Sequence, residues 1–376
     1  MKKISNIKNI SIIISIAVFS SLVLYLPFFL KLSKWFGLTI SEPGMLTIYK
    51  HFDGPLYIIP AKTLYDPKLI ESLKLELPLP AGYFAAHLPL YSLLIRLFSA
   101  VVGYLHSPVA VNLIFSAILA GSFYFIVGKL NLSKKPLILA LIFLFLPRFL
   151  VIRSIGAPES LFVFLILFSL YFFERQNYFL AGIFGGLATM TKTPGILLFA
   201  VFCLAFLENF VKTKKFDWHW LNIGFIPLGL ILVFLFYFRQ YGDFFAYFHS
   251  GDNIHLVSPF AAFNFQKTWV GTAWLEDIIF YFFIYLLTIF QLKHCRYRSF
   301  FYFSLVFYVA VIFVQHRDIS RYSLPLWPLG CIAFENFLTS KKFLAAFIIL
   351  LPAIYLYAWN FLLYNTMPIA NWLPFL

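Results

Sequence analysis

Apolar runs of about 20 residues, the length that an α-helix needs to cross the hydrocarbon core of a bilayer, recur along the whole sequence. In lipid, each backbone N–H and C=O group must be paired within its own segment, so we expect these runs to be helices. Hydrophobic residues make up 62% of the chain and charged residues only 12%, which leaves no long soluble segment. The sequence therefore predicts one all-α, polytopic membrane domain over residues 1–376 and excludes a soluble globular protein.

Eleven of these runs are candidate crossings. They cover residues 10–30, 108–128, 136–152, 158–174, 178–191, 194–211, 219–238, 276–293, 299–315, 322–338 and 343–363. The first run follows Lys2, Lys3 and Lys8 and is long for the apolar core of a signal peptide. We therefore expect a retained signal anchor whose N-terminus lies in the cytoplasm.

The run 178–191 is short for a crossing. Its glycines Gly182 and Gly186 lie four residues apart, a spacing that lets two helix backbones approach closely. We therefore keep this run as a crossing and expect it to pack tightly against a neighbouring helix.

A twelfth run, 88–105, decides the topology, because counting it as a crossing reverses every later loop. If it does not cross, four clusters of Lys and Arg share the cytoplasmic side with the N-terminus, as the positive-inside rule requires. These clusters lie at residues 129–135, 212–215, 293–298 and 341–342. Arg96 also lies in the middle of the run, where a charge at the bilayer centre is costly. We therefore predict about eleven transmembrane helices and an interfacial or re-entrant helix over 88–105.

This topology places the two longest polar segments on the outer side. They are the first outer loop, 31–107, and the second large outer loop, 239–275, and long loops in a compact fold are often functional. The net charge of +14 comes from small clusters between apolar runs, which act as topology signals and do not indicate nucleic-acid binding. Cys203, Cys295 and Cys331 have neither disulfide nor metal spacing, so we predict no metal site and no cofactor.

Asp53, in the first outer loop, is the strongest candidate for a catalytic residue. His51 and Tyr57 flank it, and Gly54-Pro55 fixes a turn directly after it. Partial burial among aromatic rings raises the pKa of a carboxylate toward the range of a general base. The alternative is a loop carboxylate that only faces water.

Four further residues near the outer surface are candidates for substrate binding. They are His87, Arg148, Arg153 and Glu159. The planar donors of arginine suit a phosphate group, and contact with lipid headgroups is the alternative for both arginines. For His87 the alternative is a structural hydrogen bond, and for Glu159 it is the favourable position of an anion at a helix N-terminus.

The remaining candidates lie in two later turns on the same predicted side. They are Lys192, Arg317, Arg321 and Tyr322. Arg317 has a simpler alternative role as the ion-pair partner of Asp318. Together the residues predict a site where a lipid phosphate lies against cations while Asp53 deprotonates an acceptor hydroxyl. The sequence has neither a Gly-rich phosphate loop nor a nucleophile elbow, which favours a lipid-linked donor over a nucleotide.

Four motifs follow one another through the first half of the chain. They run from Phe52 to Ala61, from His87 to Arg96, from Pro147 to Phe162 and from Ala181 to Gly195. In this order they resemble the GT-C superfamily of polytopic glycosyltransferases, and they are most similar to the PIG-V type, the GPI mannosyltransferase II-like branch. The chain departs from that pattern where Phe52 replaces the usual Trp and Lys192 replaces an Arg.

The resemblance implies an inverting hexosyltransferase, usually a mannosyltransferase, that uses a polyprenyl- or dolichyl-phosphate sugar at the outer or luminal face. Asp53 would be the general base, and the acceptor would be a glycan, a lipid or a protein. The other candidates would bind the donor and acceptor. The membrane would be the plasma membrane in a prokaryote and the endoplasmic reticulum in a eukaryote.

Two other classes of function stay open on the sequence. A transporter or flippase of lipid-linked saccharides is one, although we see no internal repeat and no charges gathered at mid-membrane. A non-catalytic membrane subunit of a glycosylation complex is the other.

Overall fold

The computed structural model describes residues 2–40, 44–51, 53–74, 79–251, 256–264 and 275–364. In that part of the chain, the α-helices are α1 (Lys2–Phe29), α2 (Leu46–Tyr49), α3 (Gly54–Thr63), α4 (Pro67–Ser72), α5 (Pro89–Lys129), α6 (Pro136–Phe143), α7 (Pro147–Ile152), α8 (Glu159–Glu174), α9 (Tyr178–Thr191), α10 (Leu197–Thr213), α11 (Phe225–Tyr241), α12 (Ala246–His249), α13 (Glu276–Leu292), α14 (Arg298–Ile312), α15 (Ile319–Tyr322), α16 (Trp327–Ala333), α17 (Glu335–Leu338) and α18 (Lys341–Tyr364). Short 3-10 helices cover Ala81–Ala86, Thr193–Ile196, Trp218–Gly224, Ala261–Phe263 and Leu324–Leu326. The strands β1 (Lys34–Trp35) and β2 (Leu38–Thr39) form one antiparallel hairpin.

Long apolar helices dominate the described residues. Five segments are long and apolar enough to cross a membrane: Ile7–Phe29, Pro89–Lys129, Thr193–Thr213, Trp218–Tyr241 and Lys341–Tyr364. Three shorter apolar helices cover Tyr178–Thr191, Arg298–Ile312 and Leu324–Ala333. The protein thus has the helical, apolar architecture of an all-α membrane protein, as the sequence predicts.

Two of the predicted continuous spans are interrupted, and one of the breaks lies at a proline. The run 136–152 folds as the separate helices α6 and α7, because Leu146 before Pro147 takes an extended conformation (φ −55°, ψ 125°). The run 322–338 is interrupted at Ser323 and Phe334, and its two prolines lie within the apolar helical segment Leu324–Ala333. The prediction of one continuous helix is therefore wrong in both places.

The twelfth run and the run after it form a single helix with a break. Within α5, Gly103 has φ 77° and ψ 164°, a conformation that interrupts the helix and that glycine adopts without steric cost. The break lies inside the predicted run 88–105, two residues before its end. We call the part of α5 before Gly103, residues 89–102, the arm helix.

The chain forms two compact units. The first contains Met1–Phe164, Val233–Gly251 and Asn336–Leu376, and the second contains Leu165–Leu232 and Asp252–Glu335.

Two lysine clusters of the first unit lie together at one of its ends. The Asn9 side chain donates to the Tyr124 hydroxyl at 3.0 Å, and Gly121 packs against Ile10, so α1 and the later part of α5 run antiparallel. The Lys135 ammonium donates to the Thr339 carbonyl at 3.0 Å. The lysine clusters that follow α5 and begin α18 therefore lie beside each other, near the start of α1.

The last helix, α18, runs alongside α1 in the same direction. The Tyr355 hydroxyl donates to the Ser20 carbonyl at 3.1 Å, and the Trp359 indole N–H donates to the Leu24 carbonyl at 3.0 Å. The end of α18 therefore reaches the end of α1 from which the first outer loop departs. The end of the first unit that carries the first outer loop therefore lies opposite its lysine-rich end.

The second unit also gathers basic residues at one end. The Arg298 guanidinium at the start of α14 pairs with Glu208 near the end of α10, with a distance of 2.7 Å between Nε and Oε2. This pair brings together the predicted cytoplasmic clusters 212–215 and 293–298. Lys192 follows the end of α9, and the segment 315–322 follows α14 at its far end.

Glycines on α9 allow a close approach to the segment that leads into α11. A Cβ at Gly186 would lie 2.6 Å from the Phe225 carbonyl oxygen, and one at Gly229 would lie 2.5 Å from the Gly186 carbonyl oxygen. Gly182 faces the Asn222 carbonyl in the same way. The close packing that the spacing of Gly182 and Gly186 predicted is therefore present.

We expect Gly186→Ala to lower the free energy of unfolding by about 1–3 kcal/mol, because the added methyl group overlaps a backbone oxygen and forces the helices apart. Denaturant or thermal unfolding of the purified protein in detergent would measure the change. Gly128→Ala is the matched control, since a Cβ at that helical glycine meets nothing within 4 Å. Equal stabilities of the two variants would contradict the packing described here.

Candidate active site

Asp53 immediately precedes the first turn of α3 and is partly exposed. The chain turns tightly there: the Gly54 N–H donates to the His51 carbonyl at 3.4 Å, and the Tyr57 N–H donates to the Asp53 carbonyl at 3.2 Å. Its carboxylate makes no capping bond to α3, unlike Asp66, which caps α4 through the N–H groups of Lys68 and Leu69. The start of a helix is also a favourable place for a negative charge.

Aromatic side chains surround the next turn of α3. The Tyr57 ring lies edge-on to His87 and to Tyr91, with centroid distances of 4.7 and 4.9 Å. His87 is 4% exposed, and its carbonyl accepts hydrogen bonds from the hydroxyls of Tyr65 and Tyr237. Burial raises the pKa of the Tyr65 hydroxyl, which therefore stays a donor. The structure thus brings together Tyr57 and His87, two of the predicted site residues.

The arm helix is hydrogen-bonded to the backbone of α3. The Ser92 hydroxyl donates to the Tyr57 carbonyl at 3.2 Å. The Arg96 guanidinium donates to the carbonyls of Ala61 and Lys62, each at 3.0 Å, at the carboxyl end of α3 where a cation is favoured. Arg96 therefore has a specific partner within the first outer loop.

A contact between two glycines joins the start of α3 to the turn between α7 and α8. A Cβ at Gly156 would lie 3.2 Å from the Gly54 Cα and 2.8 Å from the Pro108 Cβ, so only glycine fits there without a shift. The Asn112 side chain fixes the same turn by donating to the Ile152 and Ile155 carbonyls at 2.7 and 2.6 Å. The contact places the residue after Asp53 against the turn that leads to Glu159.

Glu159 is the first residue of α8 and is 2% exposed. The nearby Tyr91 hydroxyl of the arm helix donates to the Pro108 carbonyl at 2.7 Å. The N-terminus of a helix is a favourable place for a negative charge, which is the alternative role that the sequence predicts for Glu159. Glu159 is buried, as are Tyr57 and Tyr91.

Arg148 and His51 meet the same aromatic ring. The Arg148 guanidinium lies over Phe361 of α18 at 4.1 Å from the ring centroid, and the His51 ring lies 5.6 Å from it. Both residues are buried, Arg148 at 4% and His51 at 0% exposure. The C-terminal helix therefore contributes to this region, which nothing in the sequence motifs indicated.

Arg153 lies deeper and is fully buried. Its Nε donates to the Leu144 carbonyl at 3.1 Å. Its terminal nitrogens donate to the Ala17 carbonyl at 2.8 Å and to the hydroxyls of Ser21 and Ser20 at 3.1 and 2.6 Å. The expectation that Arg153 binds a donor phosphate stays a prediction, but the structure gives its guanidinium partners on α1 instead.

The other four candidates belong to the second unit. Lys192 follows α9, where its N–H donates to the Ala188 carbonyl, and it is partly exposed. Arg317 is exposed, whereas Arg321 and Tyr322 are partly exposed. The Tyr322 ring lies 5.1 Å from that of His316. These four candidates thus belong to the second unit, whereas the other predicted site residues belong to the first.

Metal-binding side chains do not cluster in the described part of the chain, where no group of three or more His, Cys, Asp or Glu residues could hold an ion. The candidate site contains the partly exposed carboxylate of Asp53, buried aromatic rings and several cations. Such a set suits proton transfer and the stabilisation of an anionic leaving group.

Comparison with known proteins does not assign the chain to a family. Neither the protein-family models nor the curated proteins contain a match to it. The GT-C resemblance therefore continues to rest on the order and content of the four motifs.

Proposed function

We propose that this protein is an inverting membrane glycosyltransferase of the GT-C type, which transfers a hexose, with mannose as the first candidate, from a polyprenyl- or dolichyl-phosphate donor. The observation that carries the proposal is the position of Asp53. Asp53 immediately precedes α3 and is followed by Gly54, which contacts the turn before Glu159. Tyr57, one helical turn further on, contacts the rings of His87 and Tyr91.

The proposed reaction is a single displacement. The acceptor hydroxyl oxygen attacks the anomeric carbon, and the bond from that carbon to the donor phosphate oxygen breaks. Asp53 takes the hydroxyl proton, and the lipid phosphate leaves with the electron pair. Since the attack comes from the face opposite the phosphate, the configuration at the anomeric carbon inverts.

The leaving phosphate requires positive charge, which Arg148, Lys192, Arg317 and Arg321 would supply. Arginine forms paired hydrogen bonds to phosphate oxygens, and cations arranged in advance stabilise charge as it develops. Lys192 and Arg321 are the strongest choices because both are partly exposed near the end of a helix. The acceptor would be a glycan, a lipid or a protein.

The proposal includes about eleven crossings with a cytoplasmic N-terminus and an interfacial arm helix. The lysine-rich end of the first unit, opposite the first outer loop, supports this orientation through the positive-inside rule. The hydrogen bonds from Arg96 to the carboxyl end of α3 support an arm helix that lies against the loop.

Asp53→Asn should reduce sugar transfer by about 100-fold or more, because the amide cannot accept the proton of the acceptor hydroxyl. The assay would follow radiolabelled mannose from polyprenyl-phosphate mannose in membranes that contain the full chain. Asp66→Asn is the matched control: it removes another carboxylate from the same loop but affects only the cap of α4. Near wild-type turnover of a correctly inserted Asp53→Asn protein would exclude Asp53 as the base.

If the wild-type protein transfers no sugar in this assay but moves lipid-linked sugar between the leaflets of vesicles, the flippase alternative replaces the proposal. Activity of the purified chain alone would exclude the role of a non-catalytic subunit.

Lys192→Ala and Arg321→Ala should each raise the KM for the lipid-phosphate donor by about tenfold or more, because each removes a charged hydrogen-bond donor to phosphate. Steady-state kinetics with varied donor would measure the effect. Lys293→Ala removes an exposed lysine from the basic end of the same unit and should leave this KM unchanged. Unaltered donor KM values in both test variants would contradict the phosphate site.

The orientation can be tested with single cysteines in a variant that lacks the native ones. Lys68→Cys, in the first outer loop, should react with a membrane-impermeant maleimide in intact cells. Lys342→Cys, at the lysine-rich end, should react only after permeabilisation. Both side chains are exposed, so access depends on the side of the membrane. Labelling of both sites in intact cells would refute the proposed topology.

A further inference from the structure

We propose that the hairpin of residues 34–39, here called the tip hairpin, inserts into the membrane interface and binds the headgroups of anionic phospholipids. The inference is independent of the proposed reaction. It rests on the conformation of the turn, on an exposed aromatic ring and on two lysines.

The turn of the tip hairpin carries an unusual residue. Lys34 pairs with Thr39 and Trp35 pairs with Leu38, which leaves a two-residue turn of Phe36 (φ 45°) and Gly37 (φ 81°). Turns with two positive φ values favour Asn-Gly, because asparagine tolerates the left-handed region far better than a large aromatic residue does. Phenylalanine at this position works against the stability of the turn, which points to a role for its side chain outside the hairpin.

Aromatic contacts fix the hairpin against α18. The Phe36 ring stacks on Trp359 at a centroid distance of 5.8 Å, and Trp35 meets Trp359 edge-on at 5.3 Å. The Trp359 indole is in turn hydrogen-bonded to the Leu24 carbonyl of α1. The hairpin is therefore held at a fixed position by the two membrane helices, α1 and α18.

Phe36 nevertheless remains 71% exposed. The surface beside it is also apolar, since Phe29 and Leu30 at the end of α1 are 73% and 53% exposed. Segments that lie in the membrane interface bury Phe, Trp and Leu side chains at the boundary between lipid and water, while their Lys and Arg side chains stay on the polar side. Continuity with the lipid-facing end of α1 identifies the occupant of this surface as the upper acyl and headgroup region of the bilayer.

Two lysines of this region indicate which kind of phospholipid headgroup the tip hairpin binds. Lys31 and Lys34 are exposed and make no ion pair with any described residue. In the proposed topology they lie on the outer side, against the usual distribution of lysine. Two cations beside an inserted ring match an anionic phosphate headgroup, and each lysine near a charged membrane surface adds to the attraction.

The depth of the hairpin tests the first half of the proposal. The full chain, cysteine-free except for Thr39→Cys, would carry a fluorescent label at residue 39 in nanodiscs of phosphatidylcholine and phosphatidylglycerol. Lipids brominated on the upper acyl chain should quench the label. Phe36→Asn should weaken the quenching while the hairpin persists, because Asn-Gly suits the turn better than Phe-Gly. Quenching that is absent, or equal in the two proteins, would overturn insertion.

Headgroup selectivity tests the second half. Native mass spectrometry would measure the affinity of the purified chain for phosphatidylglycerol relative to phosphatidylcholine. Lys31→Gln and Lys34→Gln should each weaken phosphatidylglycerol binding about fivefold. Lys68→Gln, an exposed lysine elsewhere in the same loop, should not. Equal binding by all variants would overturn the headgroup site.

These measurements use no sugar donor, so they separate the bulk phospholipid from the substrate of the proposed reaction. Their failure would leave the proposed transferase untouched, and inactivity of the transferase would leave the hairpin result intact.

Discussion

The approach of Gly54 to Gly156 is the contact on which the candidate site depends. Two backbones meet there without side chains between them, and a Cβ at Gly156 would strike both Gly54 and Pro108. The contact links the short helix behind Asp53 to the turn before Glu159. Around it, Asn112 satisfies two carbonyls of the turn, and the arm helix supports α3 from the other side. The start of α3, directly after Asp53, is therefore held by α5 and by the turn between α7 and α8, and not by the loop alone.

The interior of the first unit also shows how an apolar protein keeps a buried cation. Arg153 has four donor contacts to carbonyl and hydroxyl oxygens, and three of these go to α1. Next to it, Ser154 bonds to the Ser21 hydroxyl, and the Tyr25 hydroxyl donates to the Ser154 carbonyl. Removing a buried arginine from such a set would leave several acceptors unsatisfied, and each unpaired buried group costs about 1–3 kcal/mol. The network thus ties the turn that carries Gly156 to the first membrane helix.

The sequence predicted the helices well because apolar runs and lipid together determine helix formation. It failed at 136–152, where Pro147 breaks a run whose hydropathy alone suggests continuity. The residue types of the candidate site could be predicted from the sequence, but their arrangement in space could not. Tyr57 and His87 lie thirty residues apart in the chain, and only the fold brings their rings together. Arg148 and Arg153 look equivalent in sequence, yet one stacks on Phe361 and the other is bonded to α1.

Gly103 has a consequence for the length of α5. The helix contains 41 residues, which as a straight rod would measure about 60 Å, at about 1.5 Å of rise per residue. The hydrocarbon core is only about 30 Å thick, so an unbroken rod would extend far into water with apolar residues exposed. A side chain at residue 103 would meet nothing within 4 Å, so the constraint lies entirely in the backbone angle. One glycine therefore divides an overlong rod into a membrane-length segment and a separate arm.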